Sequence, residues 1–195
     1  MSSKDASIVR GTVIGGVRSR FSKDEVRLKI VDASVRGSRA AVNIVYVGKA
    51  TKAEVAAAAA QTIAISIPRS YRLRKLSYVR ITVSKTGSSR GTRFLMNLRV
   101  PRIVYSYLLP RSIEALKSLG ASIRLWRIVD SGEGVVRLKI YASYGLPEID
   151  VRALDEKIRS VVEGMRQVSK RVCVDIDLKT RVSRILRSLC TPPAS

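Results

Sequence analysis

Two segments of this chain, 77–84 and 93–100, alternate apolar and polar side chains with a period of two. In the first, Val79, Ile81 and Val83 fall on one side, and Tyr78, Arg80 and Thr82 on the other. In the second, Phe94, Met96, Leu98 and Val100 oppose Arg93, Asn97 and Arg99. A strand sends successive side chains to opposite faces, so this pattern predicts a sheet with one dry and one wet face. The intervening Lys85-Thr86-Gly87-Ser88-Ser89-Arg90-Gly91-Thr92 has the residues of a flexible loop, which makes the pair a hairpin. The wet face of that hairpin is basic.

The hairpin lies in an acid-free stretch. From Val55 to Ile113 there is no Asp or Glu and there are eleven Lys or Arg: Arg69, Arg72, Arg74, Lys75, Arg80, Lys85, Arg90, Arg93, Arg99, Arg102 and Arg111. Acids lie on both sides, so the gap is local. The 195-residue chain as a whole carries a net charge of +22, yet at 46% hydrophobic it has the apolar content of a globular protein. Charge of one sign repels itself and raises the local potential, which a polyanion relieves. Nucleic acid, RNA or DNA, is the partner class this favours, ahead of an anionic membrane surface.

No apolar run reaches bilayer length, so no transmembrane segment is expected. The first residues, Met1-Ser2-Ser3-Lys4-Asp5-Ala6, lack the apolar core of a signal peptide, and a cytoplasmic location is the expectation. Side-chain amides number four (Asn43, Gln61, Asn97 and Gln167), and Arg outnumbers Lys about two to one. Few thermolabile amides beside many ion-pairing residues suggest a thermophile. Cys173 and Cys190 are either free thiols or a disulfide, which a hot cytoplasm permits.

Along the chain, 8–18 reads as a first strand with Gly15-Gly16 near its end. In 25–31, Val26, Leu28 and Ile30 face one way, Arg27 and Lys29 the other. Arg36-Gly37-Ser38-Arg39 is a turn, and 41–47 is a third strand. Thr51-Lys52-Ala53-Glu54 matches a capping box, predicting an alanine-rich helix that starts at Lys52 and ends before Ile67-Pro68. A basic linker or irregular turn covers 69–76. The segment 102–109 is ambiguous between strand and helix. A short helix over 112–119 is closed by Gly120, and 122–129 and 135–143 form a second hairpin. Asp150 caps a helix whose Val151, Leu154, Ile158, Val161, Val162, Met165 and Val168 trace one face. The strand 171–178 follows, then 181–190 as a short amphipathic helix that groups Val182, Ile185, Leu186 and Leu189.

The fold class is therefore α+β, with mainly antiparallel sheets and helices packed on one face. Val26-Arg27-Leu28-Lys29-Ile30 recurs as Val136-Arg137-Leu138-Lys139-Ile140. Each copy precedes a capped helix and an alternating strand. A duplicated strand–strand–helix–strand unit stands beside chance in a chain rich in Val, Arg and Lys. The domains are a basic α+β lobe over 1–109, containing the hairpin 77–100, and a second α+β lobe over 110–195, or the two merged into one.

The chain has no histidine, which excludes every Cys-His or Ser-His dyad and every His metal site. Two cysteines without histidine leave a structural zinc site unfilled. The loop 87–92 lacks the Gly-Lys-Ser/Thr ending of a phosphate-binding loop for nucleotide hydrolysis. Asp175 and Asp177 share a strand face, and Asp177-Leu178-Lys179 has the acid-x-Lys spacing of some metal-dependent nucleases. Such a Mg²⁺ site needs a further acid, Glu148 or Asp150. The alternative is two solvated aspartates that balance Arg171 and Arg181. Cys173, beside apolar residues, reads as core packing, and no cofactor is called for.

The last third resembles the bacterial alkaline shock protein family in its hairpin, Tyr144-Gly145, Pro147-Glu148, Val162-Glu163-Gly164-Met165 and Val172-Cys173-Val174-Asp175-Ile176. Two spacings differ by about one residue, and Arg166-Gln167 replaces the usual Thr-Gly. The resemblance implies a small α+β module without enzymatic chemistry, in a family linked to the cell envelope and to stress.

The functional expectation is a non-enzymatic nucleic-acid-binding protein that contacts phosphates through a basic sheet face, with RNA or single strands favoured over duplex because no helix concentrates basic residues. The candidate residues are Arg69, Arg72, Arg74, Lys75, Tyr78, Arg80, Lys85, Arg90, Arg93, Arg99 and Arg102. Guanidinium forks match phosphate oxygens, and the Tyr78 ring offers a stacking surface. The alternatives are a protein-interaction or scaffold subunit of a ribonucleoprotein or envelope assembly, which would bind other protein subunits, and the metal-dependent nuclease.

Overall fold

In the computed structural model, which describes residues 3–88 and 90–192, the chain divides into the units Met1–Ser106 and Tyr107–Ser195. The first runs α1 (Ser3–Arg20), β1 (Arg27–Arg36), β2 (Arg39–Val47), α2 (Lys52–Ser66), β3 (Tyr78–Lys85) and β4 (Thr92–Asn97). The second runs α3 (Leu109–Ser118), β5 (Ala121–Asp130), β6 (Val135–Tyr144), α4 (Val151–Glu163), β7 (Arg171–Lys179) and β8 (Arg184–Cys190). Each unit is thus helix–strand–strand–helix–strand–strand, and the class is α+β.

Each sheet is mixed. The order is β1-β2-β3-β4 in the first and β5-β6-β7-β8 in the second. Both hairpins of a sheet are antiparallel, and its two central strands are parallel. A parallel neighbour needs a crossover, which α2 and α4 supply. In the first sheet the buried side chains are Val31, Val35, Ala40, Val42, Ile44, Tyr46, Val79, Ile81, Val83, Phe94 and Met96. This dry face holds the alternation expected of 77–84 and of 93–97, but β4 ends at Asn97, so Leu98 and Val100, expected as inward strand positions, lie in the turn that follows.

The expected capping box is present. Thr51 Oγ1 accepts the Glu54 N–H at 3.3 Å, and the Thr51 N–H donates to Glu54 Oε2 at 2.9 Å. The helix it opens ends at Ser66, and a 3₁₀ turn over Ile67–Arg69 carries Pro68. Its alanines are buried nearly all round, which lets α1 and the sheet approach closely.

The first segment is a helix and not the strand expected over 8–18. Val9, Val13 and Val17 recur every four residues and are at most 1% exposed. Valine and glycine are poor helix formers, and packing against α2 outweighs that preference. At Gly16 a Cβ would lie 1.9 Å from Thr62 Oγ1 of α2. Gly16→Ala is therefore expected to lower stability by about 1–3 kcal/mol through overpacking, read as a lower urea midpoint. An unchanged midpoint would show that the two helices separate freely.

The segment 181–190 is not the expected helix either, because Arg184–Cys190 pairs antiparallel with β7. Ile185, Arg187 and Leu189 share one side of β8, and Arg187 Nε lies 3.2 Å from Asp155 of α4. Leu186 is left 64% exposed. A short apolar run satisfies both periods, and backbone pairing decides between them. Cys190 stands opposite Cys173, and the two form a disulfide. The ambiguous 102–109 is helical, with a π-helical turn over Val104–Leu108 that leads into α3. Gly120 closes α3 at a positive φ of 87°.

The alternation expected for 25–31 is interrupted. A bulge between Leu28 and Ile30 turns Ile30 outward, and Val31 and Val35 take the buried side. A matching bulge falls between Ile123 and Leu125 of β5. The repeated pentapeptide does not sit at equivalent places. Arg27–Ile30 belongs to the first strand of its unit, with Val26 just before it, and Val136–Ile140 to the second strand of the other. The two units share their element order, but the five identical residues are not in register with it.

Candidate functional site

The face of the first sheet away from its buried side is built in rows. Arg36 of β1 pairs with Arg39 of β2, Arg39 with Tyr78 of β3, and Tyr78 with Asn97 of β4. The next row is Ser34, Ala41, Arg80 and Leu95, and the third is Asp32, Asn43, Thr82 and Arg93. Ser34 and Ala41 are short, while Arg36, Arg39 and Arg80 around them are long. The result is a depression of about 870 Å³, with Ala40, Ser77, Tyr78, Asn97 and Arg99 completing its lining. That volume lies within the roughly 300–1,000 Å³ of small-molecule sites.

Asn97 is fixed from two sides. Its backbone N–H donates to Tyr105 Oη at 2.8 Å, and its side-chain Oδ1 accepts the Arg99 N–H at 3.0 Å. Burial pushes the Tyr105 phenol up to about 12, and the Asn97 bond opposes that rise only in part. Tyr105 thus stays a neutral buried anchor under the end of β4, and among the described residues the Asn97 Nδ2 donor has no hydrogen-bond partner.

Among the described residues, no carboxylate pairs with Arg36, Arg39, Arg80, Arg93 or Arg99. The acid on these rows is Asp32. It is three interstrand steps from Arg93, about 14 Å at the usual strand spacing. The equivalent face of the second sheet is neutralised only in part: its rows carry Arg127, Arg137, Lys139, Lys179 and Arg184 beside Asp175 and Asp177. Asp175 takes Arg137 at 3.2 Å and Ser188 Oγ at 2.6 Å, and Asp177 takes Arg184 Nε at 2.8 Å. The Arg184 hydrogen bonds hold the Asp177 carboxyl below the usual carboxylate range.

The candidate residues separate into groups. Tyr78, Arg80 and Arg99 line the depression, and Arg93 stands on the same face one row away. Arg72 and Lys75 contact Asp5 at 3.7 and 2.7 Å, and Asp5 is only 3% exposed. These two bases neutralise a buried acid from α1. Arg74 donates to the Pro68 carbonyl at 3.3 Å, and Arg69 is exposed at the end of the 3₁₀ turn. Lys85 follows the parity of Val79, Ile81 and Val83, away from the open face. Arg90 is exposed in a loop tied to α2, where Lys52 Nζ reaches the Arg90 carbonyl at 2.5 Å and Ser88 Oγ at 2.7 Å. Arg102 is half-buried after Pro101.

Arg36 and Arg39, which the sequence marks only as the ends of a turn, also line the depression. The available signal was two arginines flanking Gly37-Ser38 at a hairpin tip. Asp175 and Asp177 are committed to arginines, and Asp150 caps α4 by accepting the Arg152 and Ala153 N–H groups. Among the described residues no three acidic, Cys or His side chains cluster as a metal site would. No described helix is long and apolar enough to cross a membrane.

Compared with protein-family models, curated proteins and solved structures, the chain matches none.

Proposed function

We propose that this chain is a non-enzymatic nucleic-acid-binding protein that takes the phosphate backbone on the open face of its first sheet, with RNA or single strands favoured. One observation carries the reading: Arg36, Arg39, Arg80, Arg93 and Arg99 share a face around Tyr78 without a carboxylate partner among the described residues. Arginines gathered this way repel one another, and phosphate oxygens relieve that repulsion while accepting their forked N–H groups. The second sheet differs in that two of its face arginines, Arg137 and Arg184, are paired with aspartates.

The test is salt dependence. Five phosphate contacts on a single strand give a log–log slope of affinity against salt of about −3.5. Fluorescence polarisation with a labelled RNA strand at several salt concentrations measures it. No binding at low salt, or a slope near zero, would remove the proposal.

A further inference from the structure

We infer that the occupant of this depression is an unpaired base stacked on Tyr78, so that the face selects single-stranded nucleic acid over duplex; this rests on the nucleic-acid reading above. Tyr78 is placed for it. Its register partners are Arg39 on one side and Asn97 on the other, and Arg80 follows two residues on along the same face. An aromatic ring is thus surrounded by cations and one amide, in a concavity of about 870 Å³. Phosphate binding alone does not need an aromatic ring at its centre. Base-and-phosphate recognition needs both, and the base–aromatic stack tolerates any sequence because every base has a π-face.

Asn97 adds a base-edge contact. Its Oδ1 is committed to the Arg99 N–H, which leaves Nδ2 to donate. Every base carries an edge acceptor, so this donor adds affinity without choosing among bases. In a duplex the bases are paired and stacked on each other, and their flat faces do not reach Tyr78. Stacking therefore discriminates by strandedness, and the arginines hold the backbone on either side.

The experiment compares three probes on the intact protein at one low salt concentration: oligouridylate, an abasic strand of the same length and charge, and a duplex. Oligouridylate is expected to bind about 5- to 150-fold tighter than the abasic strand, the range of one base–aromatic stack. Tyr78→Leu, which keeps apolar volume but removes the ring, is expected to close that gap without changing abasic affinity. Tyr78→Phe is expected to preserve it. Equal affinity for base-bearing and abasic strands would overturn the inference while leaving phosphate binding intact. So would an equal loss for both strands in Tyr78→Leu. Binding to none of the probes would remove phosphate binding, and the inference with it.

Discussion

Replacing Arg36, Arg39, Arg80 and Arg99 together by glutamine is expected to lower affinity for single-stranded RNA about 100-fold at physiological salt and to flatten the salt slope by about 3. Each guanidinium that neutralises one phosphate releases a condensed counterion, and the four losses add in the exponent. These side chains are exposed, and among the described residues they make no ion pair, so their removal leaves no buried group unpartnered. Folding should therefore be preserved, and circular dichroism checks it. The control removes the same charge elsewhere: Arg18, Arg152, Lys157 and Arg159, all on exposed helix surfaces. Screening confines the effect of charges to about 8 Å at physiological salt, so the control should lose little affinity. If both variants weaken binding alike, net charge alone drives association and the first sheet has no special part in it.

The comparison matters because the acid-free stretch is not one surface. Strand alternation carries Arg80 and Arg93 outward, and Arg99 joins their face from the turn after β4, where its N–H donates to Asn97 Oδ1. Arg72 and Lys75 are spent on Asp5, which sits 70 residues from Lys75 in the chain. A count of charge along the sequence treats these bases alike. Only the fold separates those that face solvent from those that pair.

What was legible follows the same division. The alternation in β3 and β4, the Thr51 capping box and the apolar stripe of α4 are local patterns, and each has its element, although β4 stops at Asn97 rather than 100 and α4 at Glu163, before Met165 and Val168. The duplicated architecture was glimpsed through the order of elements, although the pentapeptide that prompted it is out of register. The helix α1 was not legible, since its valines and glycines prefer other conformations when unpacked. Neither was β8, whose apolar spacing fits two periods. The site itself was half legible. The hairpin pattern gave Tyr78, Arg80, Arg93 and Arg99 one face. Arg36 and Arg39 join them only because β2 lies parallel to β3 after the α2 crossover, a non-local pairing that neither strand's own pattern encodes.

The second large effect concerns the other unit. Cys190→Ser is expected to lower the stability of the second unit by about 3 kcal/mol, the chain-entropy value for a loop of this size. The joined residues are 17 apart in sequence, and they tie the edge strand β8 to the buried strand β7. For a unit of under 100 residues that loss shifts the melting midpoint down by roughly 12–24 °C. Calorimetry of wild type and Cys190→Ser, each with and without reductant, reads it directly. Wild type in reductant should approach the variant, and the variant should be indifferent to reductant. Because the cross-link lies in the second sheet and the arginine face in the first, RNA affinity below the transition should not change. A variant that melts with wild type would mean that backbone pairing and the Asp155, Asp175 and Asp177 contacts hold β8 without the bond. The Tyr78 and arginine experiments would be untouched by that result, since they concern a different sheet.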